Sequence, residues 1–217
     1  ERNARPFHLL FLDWRKAFDT VRHDALFEAL QRLGVPDQFI RIIRALYADC
    51  SFTVREGTES SVYKQLRGIR QGCPLSPYLF VVVLSVLFHD VESQYDGTYH
   101  AAMPFAISSS APFWDLEYAD DTVLFSRSVE SLQRILHLVQ AEAERIGMTL
   151  NEGKCEHMPI HSVLGMNFLP TAPEETGKPV PIKPVVRYLG AFISQNSSAE
   201  ANLRHRLSQA YGAFRSL

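Results

Sequence analysis

Cysteine, surplus basic charge and long hydrophobic runs are all scarce in this sequence of 217 residues. Its three cysteines, Cys50, Cys73 and Cys155, are odd in number and lack the spacing of metal ligands, which argues against a disulfide framework and fits a reducing compartment. Lys and Arg total 22 against 24 Asp and Glu, so the chain lacks the basic surplus typical of a protein that grips nucleic acid unaided. The longest apolar run, Tyr78 to Phe88, is too short to span a bilayer, and we expect no membrane partner.

The hydrophobic share of the sequence, 46%, is enough to bury a sizeable core in one or two domains. No signal peptide is recognisable, and the chain opens on Glu1 rather than Met, which suggests a fragment. Residues 96–112 include Gly, Pro and three consecutive serines, a composition that indicates an irregular connection.

A pair of adjacent aspartates stands out in the stretch Tyr118-Ala119-Asp120-Asp121. Apolar, β-prone segments flank it on both sides, which predicts a tight hairpin with two carboxylates at its tip. Adjacent carboxylates repel each other, and a divalent cation removes that cost. Paired aspartates on solvated turns are also common without any metal, so the pair alone leaves both interpretations open.

A third carboxylate follows the compact apolar run His8 to Leu12, which predicts a buried strand that ends at Asp13. If the predicted strands are neighbours in one sheet, Asp13 joins Asp120 and Asp121. Three carboxylates suit two Mg²⁺ ions about 3.5–4 Å apart, the arrangement used for in-line phosphoryl transfer. Oxygen ligands favour Mg²⁺ over softer metals. Spacing alone does not show that the strands meet.

Two further stretches are informative. Arg67 to Pro77 contains two glycines that let a backbone approach a ligand closely, although a basic surface loop is an equal interpretation. Ser76 and Pro77 favour the start of a buried helix with Ser76 as its N-cap. Val129 to Ile146 has the apolar spacing of an amphipathic helix, ended by Gly147.

The sequence closely resembles the reverse transcriptases, and most nearly those of non-LTR (LINE-type) retrotransposons, from His8 to about Ser194. The resemblance rests on five ordered motifs: Leu12 to Asp19 (LDWRKAFD) for motif A, Arg67 to Phe80 for motif B, Tyr118 to Asp121 for motif C, Gly147 to Lys154 for motif D, and Tyr188 to Gly190 for motif E. The YADD stretch is weakly specific by itself, whereas five motifs in the right order are strongly specific.

The resemblance implies an α+β fold, the palm of a polymerase, in which an antiparallel sheet packs against helices. Residues 1–195 would form this palm with part of the fingers–palm connection, and residues 196–217 the start of the thumb or a C-terminal helix. Most of the fingers, the rest of the thumb and the endonuclease region of a full-length protein would be missing, so we expect weak or no activity from this fragment alone. The family suggests an intracellular location, in the nucleus or cytoplasm.

The implied function is RNA-directed DNA polymerisation, in which dNTPs are added to the 3′-hydroxyl of a DNA primer on an RNA template. The resemblance implies that Asp13, Asp120 and Asp121 are catalytic and hold two Mg²⁺ ions, for which Mn²⁺ can substitute. One ion would help activate the primer hydroxyl, and the other would bind the triphosphate and neutralise the leaving pyrophosphate.

Four residues match the nucleotide-binding positions of the family. Phe18 corresponds to the steric gate, a bulky ring that rejects ribonucleotides, and its alternative is a core aromatic. Gln71 and Gly72 correspond to residues beside the incoming nucleotide, where the Gln71 amide can donate to sugar or phosphate. Arg70 faces either the template or solvent.

Lys154 matches the position proposed as general acid for pyrophosphate, where a positive charge meets developing negative charge. A solvated surface lysine is an equal interpretation. Tyr188, Leu189 and Gly190 correspond to the primer grip, with a purely structural turn as the alternative.

Two rival functions remain open at this stage. A group II intron-type reverse transcriptase shares motifs A to E. The chain could also be a non-catalytic palm remnant or RNA-binding module, because a fold does not by itself establish activity.

Overall fold

The computed structural model describes residues 6–57, 59–94, 105–108, 111–170, 177–196 and 198–215. The helices in these ranges are α1 (Ala17–Thr20), α2 (His23–Arg32), α3 (Asp37–Ala48), α4 (Ser76–Ser93), α5 (Val129–Ile146) and α6 (Glu200–Arg215). The strands are β1 (Phe7–Leu12), β2 (Ser51–Glu56), β3 (Glu59–Lys64), β4 (Phe105–Ser108), β5 (Ala111–Phe113), β6 (Asp115–Tyr118), β7 (Asp121–Ser126), β8 (Glu156–Ile160), β9 (Val185–Tyr188) and β10 (Ala191–Ser194). Helices and antiparallel strands together confirm the predicted α+β class.

A four-stranded sheet in the order β6-β7-β1-β8 contains the strands that carry the motif aspartates. Every neighbouring pair in it is antiparallel. The central strand β1 pairs with β7 on one side, Leu12 opposite Thr122, and with β8 on the other, Phe11 opposite Glu156. The predicted strand at His8 to Leu12 is therefore confirmed, and its apolar run reflects a position in the middle of the sheet.

Alternation along β1 directs successive side chains to opposite faces of this sheet. One face carries Leu10, which is fully buried. The other carries Phe11, part of a buried cluster that draws on four elements of the sheet region: Phe11, Val123, Phe125, Met158 and Val186. This packing on both faces fixes the strand register, because a shift of one residue would exchange the two faces.

The remaining strands form two-stranded hairpins, β2 with β3, β4 with β5, and β9 with β10. The expectation of an irregular connection over residues 96–112 is wrong for the strands β4 and β5. Residues 96–104 and 109–110 lie outside the described residues. Three consecutive serines and two prolines in this stretch hid a short hairpin, whose strand pairing is not visible in local periodicity.

The chain divides into two compact units. The first comprises Glu1–Asp13, Gly97–His137 and Asn151–Leu217, and it contains the four-stranded sheet. The second comprises Trp14–Asp96 and Leu138–Leu150. In the second unit α2 packs against both α3 and α4. The predicted division into residues 1–195 and 196–217 stays a prediction.

Helix α4 is the one helix in the described parts of the chain whose length and apolar composition would allow it to cross a membrane. Half of it is buried inside the protein, as in the core helix of a soluble protein, which passes the same test. Its N-cap is Leu75 and not Ser76, contrary to the prediction. The Ser76 hydroxyl donates instead to the carbonyl of Arg70 and so ties the helix to the preceding loop.

Candidate active site

The paired aspartates lie on the hairpin formed by β6 and β7, as predicted. Tyr118 pairs with Asp121, so Ala119 and Asp120 form the two-residue turn between the strands. Ala119 adopts a left-handed conformation with φ 54°, which costs a residue with a Cβ on the order of 1 kcal/mol. Such local strain is typical of functional sites, where the surrounding structure enforces it.

Strand pairing brings the third carboxylate to the same edge of the sheet. Leu12 is the last residue of β1 and lies opposite Thr122, so the adjoining residues Asp13 and Asp121 lie side by side. Asp13 is half-buried, whereas Asp120 and Asp121 are exposed. Partial burial and the negative charges of Asp120 and Asp13 raise the pKa of Asp121. The expectation that these strands are neighbours is confirmed.

These three carboxylates fit a divalent cation by their chemistry. Carboxylate oxygens are the ligands that hard cations prefer. Burial and, to a smaller extent, repulsion from Asp120 and Asp13 raise the pKa of Asp121, and a bound cation would relieve that repulsion. Over the described ranges, no three Asp, Glu, His or Cys side chains are gathered closely enough to hold a metal ion as they stand.

The loop that carries Lys154 is attached to the backbone of Asp13. The Asn151 N–H donates to the Asp13 carbonyl at 2.7 Å, and the Asp13 N–H donates to the sulfur of Cys155 at 3.4 Å. Lys154 itself is exposed. The structure thus puts the chain segment of Lys154 beside Asp13, while its predicted role as general acid stays a prediction.

Tyr188 lies next to the same carboxylates. Its hydroxyl donates to the backbone carbonyl of Asp121 at 3.4 Å, and its ring lies 5.6 Å from that of Phe11. Partial burial and the charge of Asp121 raise the pKa of Tyr188. Leu189 and Gly190 form the turn between β9 and β10, with φ 47° and 78°, which matches the type I′ geometry favoured in two-residue hairpins.

The predicted nucleotide-binding residues all belong to the second compact unit. Phe18 is half-buried and stacks on Phe80, with ring centroids 4.5 Å apart. The loop that follows Arg67 runs along α1: the Ile69 N–H donates to the Phe18 carbonyl at 2.6 Å, and the Gly68 N–H donates to that of Val21 at 2.7 Å. Motifs A and B are therefore held together by backbone hydrogen bonds.

The amide of Gln71 is oriented by Asp19. The Gln71 nitrogen Nε2 donates to the Asp19 carboxylate at 2.9 Å. Because an ionised carboxylate only accepts hydrogen bonds, the amide nitrogen must face Asp19, which leaves the amide oxygen free to accept. Only the second N–H of the Gln71 amide, which Asp19 does not use, is left to donate to a nucleotide as predicted. Gly72 is exposed in a left-handed conformation, with φ 83°.

Arg70 makes contacts that neither sequence interpretation included. Its Nε donates to the sulfur of Cys50 at 3.0 Å, and its backbone N–H donates to the Tyr47 hydroxyl at 3.4 Å. The guanidinium also lies over the Tyr47 ring, 5.9 Å from its centroid. These contacts hold Arg70 against α3 and its C-terminal end.

Sequence reasoning missed two features close to the aspartates. Burial and the charge of Asp115 raise the pKa of Glu117, on β6, to about 7. Cys155 is fully buried against the backbone of Asp13, and burial raises the pKa of its thiol to about 12. Glu117 could have been noticed because it and Asp115 alternate with Leu116 on a predicted strand, whereas no signal in the sequence indicates the contact of Cys155.

Residues 1–191 match the family described as reverse transcriptase (RNA-dependent DNA polymerase). Relatives include a retrovirus-related Pol polyprotein from the type-1 retrotransposable element R2 of Popillia japonica, 31% identical over 90% of this chain and 28% of the relative. The Pol polyprotein of R2DM from Drosophila melanogaster is 30% identical over 71% of this chain and 14% of the relative. The RNA-directed DNA polymerase from the mobile element jockey of Drosophila funebris is 29% identical over 68% of this chain and 16% of the relative.

Solved structures of similar fold include telomerases from two yeasts. Telomerase from Candida albicans, in complex with a TWJ fragment of telomeric RNA, aligns with a TM-score of 0.60 at 15% identity over 89% of this chain and 31% of that chain. Apo telomerase from Candida tropicalis, truncated from its C-terminal domain, aligns with a TM-score of 0.58 at 13% identity. The alignment covers 88% of this chain and 34% of the telomerase chain. These alignments support the palm-like fold. The chain spans about a third or less of the length of the curated relatives and telomerases named here.

Proposed function

The chain belongs to the reverse transcriptase family, and from this premise we propose that it is the RNA-directed DNA polymerase domain of a non-LTR retrotransposon protein. Its partners would be an RNA template, a DNA primer and dNTPs. The R2 and jockey relatives support the non-LTR assignment over a group II intron-type enzyme. The observation that carries the proposal is the register of β1 and β7, which sets Asp13 beside the paired aspartates.

The family generally uses divalent metal ions, and we propose two Mg²⁺ ions held by Asp13, Asp120 and Asp121, with Mn²⁺ as a substitute. Once bound, such ions supply activation of the primer 3′-hydroxyl and neutralisation of the leaving pyrophosphate. The protein's part is to keep the three carboxylates together at one edge of a rigid sheet. The negative charges of Asp120 and Asp13, which add to partial burial in raising the pKa of Asp121, support this assignment, because a cation would neutralise them.

The other site residues would position the substrates. Phe18, backed by Phe80, would close the space below the sugar and reject a 2′-hydroxyl. The Gln71 amide, held by Asp19, would donate its remaining N–H to the sugar or phosphate of the nucleotide. Lys154 would protonate the leaving pyrophosphate, for which its exposed ammonium group is suited.

Tyr188, Leu189 and Gly190 would support the primer end. The hydrogen bond from Tyr188 to the Asp121 carbonyl supports this role, because it couples the β9–β10 hairpin to the carboxylate edge. Arg70 is held by Tyr47 and Cys50, and we propose that it shapes the nucleotide-binding loop through these contacts.

The test is Mg²⁺-dependent extension of a DNA primer on an RNA template. It compares this chain with a longer form that includes the flanking sequence of its gene, each with and without Asp120→Ala. We expect extension by the longer form and a loss of about 1,000-fold or more in the variant, since bound metal supplies several kcal/mol of transition-state stabilisation. Asp37→Ala, at an exposed aspartate on α3, is the matched control and should retain activity.

Two other outcomes would change the proposal. Extension that survives Asp120→Ala would contradict the assigned carboxylates. No extension by either form, with RNA retained in a binding assay, would favour the non-catalytic palm remnant or RNA-binding module.

A further inference from the structure

The backbone of Asp13 is held on both sides by one short turn, residues 151–155. On the carbonyl side, the Asn151 N–H donates to Asp13 at 2.7 Å. On the amide side, the Asp13 N–H donates to the sulfur of Cys155 at 3.4 Å, a normal length for a hydrogen bond to sulfur. The thiol also lies 3.8 Å from the Asp13 carbonyl oxygen. Both backbone polar groups of Asp13 are thus hydrogen-bonded to the same turn.

Backbone hydrogen bonds within the turn fix its conformation. The N–H groups of Lys154 and Cys155 both donate to the carbonyl of Asn151, at 2.8 and 3.0 Å. Cys155 is fully buried, and β8 begins at the next residue, Glu156, which pairs with Phe11 of β1. The turn is therefore anchored to the sheet at its C-terminal end, and it cannot shift without disturbing the pairing of β1 and β8.

Cys155 accepts a hydrogen bond from Asp13 just beyond the point where the strand pairing between β1 and β8 ends. Phe11 is the last residue of β1 paired with β8, so the N–H of Asp13 lies beyond the ladder on that side. The thiol of Cys155 provides its acceptor instead. A half-buried N–H without an acceptor destabilises its local conformation, and here that conformation directs the Asp13 carboxylate.

We propose that Cys155 is a positioning residue for Asp13. Its thiol, together with the backbone N–H of Asn151, fixes the backbone of Asp13. These contacts thereby orient the Asp13 carboxylate toward the proposed cation site. This inference rests on the proposed function, because it assumes that Asp13 is a metal ligand. The same turn carries Lys154, so its register relative to Asp13 is set by the same hydrogen bonds.

The test uses four variants of the 217-residue chain. Cys155→Ala removes the acceptor, Cys155→Ser keeps one, and Ile160→Val is a mild core change elsewhere on β8. Asp120→Ala removes a proposed metal ligand and shows which Mn²⁺ binding belongs to the site. Mn²⁺ affinity is measured by electron paramagnetic resonance, and hydrogen exchange at the Asp13 amide is measured without metal. We expect Cys155→Ala to weaken Mn²⁺ binding about 10-fold, the lower end of the range for groups that orient metal ligands. The Asp13 amide should exchange at least about 10-fold faster, because its hydrogen bond is lost.

Cys155→Ser should stay within about 3-fold of the wild type in both measurements, since a hydroxyl also accepts a hydrogen bond. Ile160→Val should lower stability without changing Mn²⁺ affinity. Equal affinities for wild type and Cys155→Ala, or a serine variant as weak as the alanine variant, would overturn the inference while leaving the proposed function intact. Wild-type protein without Asp120-dependent Mn²⁺ binding would instead remove the proposed metal site, and the inference with it.

Discussion

Two buried histidines, His8 on β1 and His157 on β8, face each other across the sheet. The Nδ1 of His8 lies 3.0 Å from the Nε2 of His157, and the rings stack with centroids 5.2 Å apart. Both side chains are at most 1% exposed. Burial and the proximity of His8 lower the pKa of His157 to about 4. Burial also lowers the pKa of His8, against a smaller opposite effect of Glu130. One N–H hydrogen between the two nitrogens satisfies their contact, because one neutral ring donates and the other accepts, whereas protonation of both rings would place two cations together.

This pair predicts a loss of stability in mild acid. Above pH 6.5 the histidines are neutral in both the folded and the unfolded chain. Between pH 6.5 and 4 the unfolded chain binds a proton that folded His157 does not. The free energy of unfolding therefore decreases as the pH is lowered through this range. We expect a loss of about 2 kcal/mol between pH 7.5 and 5 from His157 alone.

Urea unfolding at the two pH values measures this loss. His157→Phe should flatten the pH dependence, and His89→Gln, at an exposed histidine, should not. An equal fall in all three proteins would show that other groups dominate the acid response.

The contact between α1 and the loop of motif B depends on a glycine. Gly68 has φ 91°, and a Cβ placed there would lie 2.7 Å from the Asp19 carbonyl oxygen. Gly34, just after α2, also has a positive φ of 73°, yet a Cβ there would meet nothing within 4 Å. Alanine substitutions at the two positions therefore distinguish the cost of backbone strain from the cost of steric overlap.

We therefore expect Gly34→Ala to cost about 1 kcal/mol, the strain of a left-handed residue with a Cβ. Gly68→Ala should cost about 3 kcal/mol, because overpacking adds to the same strain. Denaturant unfolding of both variants provides the comparison. Equal costs would mean that the loop moves away from α1 without penalty, and the close packing of motifs A and B would then be unimportant for stability.

Several elements could be read from the sequence with accuracy, and others could not. Helix α5 begins at Val129 and ends at Ile146 as predicted, because its apolar spacing and the following glycine are local signals. The C-terminal helix α6 does form, but its apolar residues Leu203, Leu207 and Phe214 are exposed. Periodicity predicts which side chains share a face and not whether anything covers that face.

At the scale of the whole molecule, the proposed ions should act as stabilising ligands. A cation that binds only the folded chain raises its free energy of unfolding, by about 1.4 kcal/mol at a concentration ten times Kd. Thermal unfolding with Mg²⁺, and again after its removal with EDTA, measures this effect. We expect the increase to vanish in Asp120→Ala and to persist in Asp37→Ala. Persistence in both variants would indicate that the ion binds elsewhere.

The sequence by itself determined the family, the order of the five motifs and the α+β class. The five ordered motifs carry the resemblance to the family, and the resemblance implies the α+β class. The local patterns, an apolar run that ends at Asp13, a hairpin around Asp120 and helices with regular apolar spacing, are compatible with that class. The family match over residues 1–191 confirms the assignment.

Only the tertiary structure decided which distant groups meet. Pairing of β1 with β7 sets Asp13 beside Asp121, a carboxylate orients Gln71, and a buried thiol holds the backbone of Asp13. These contacts join residues far apart in the chain through strand register and side-chain hydrogen bonds. Local spacing encodes neither, because both depend on how the sheet and loops pack after the elements have formed.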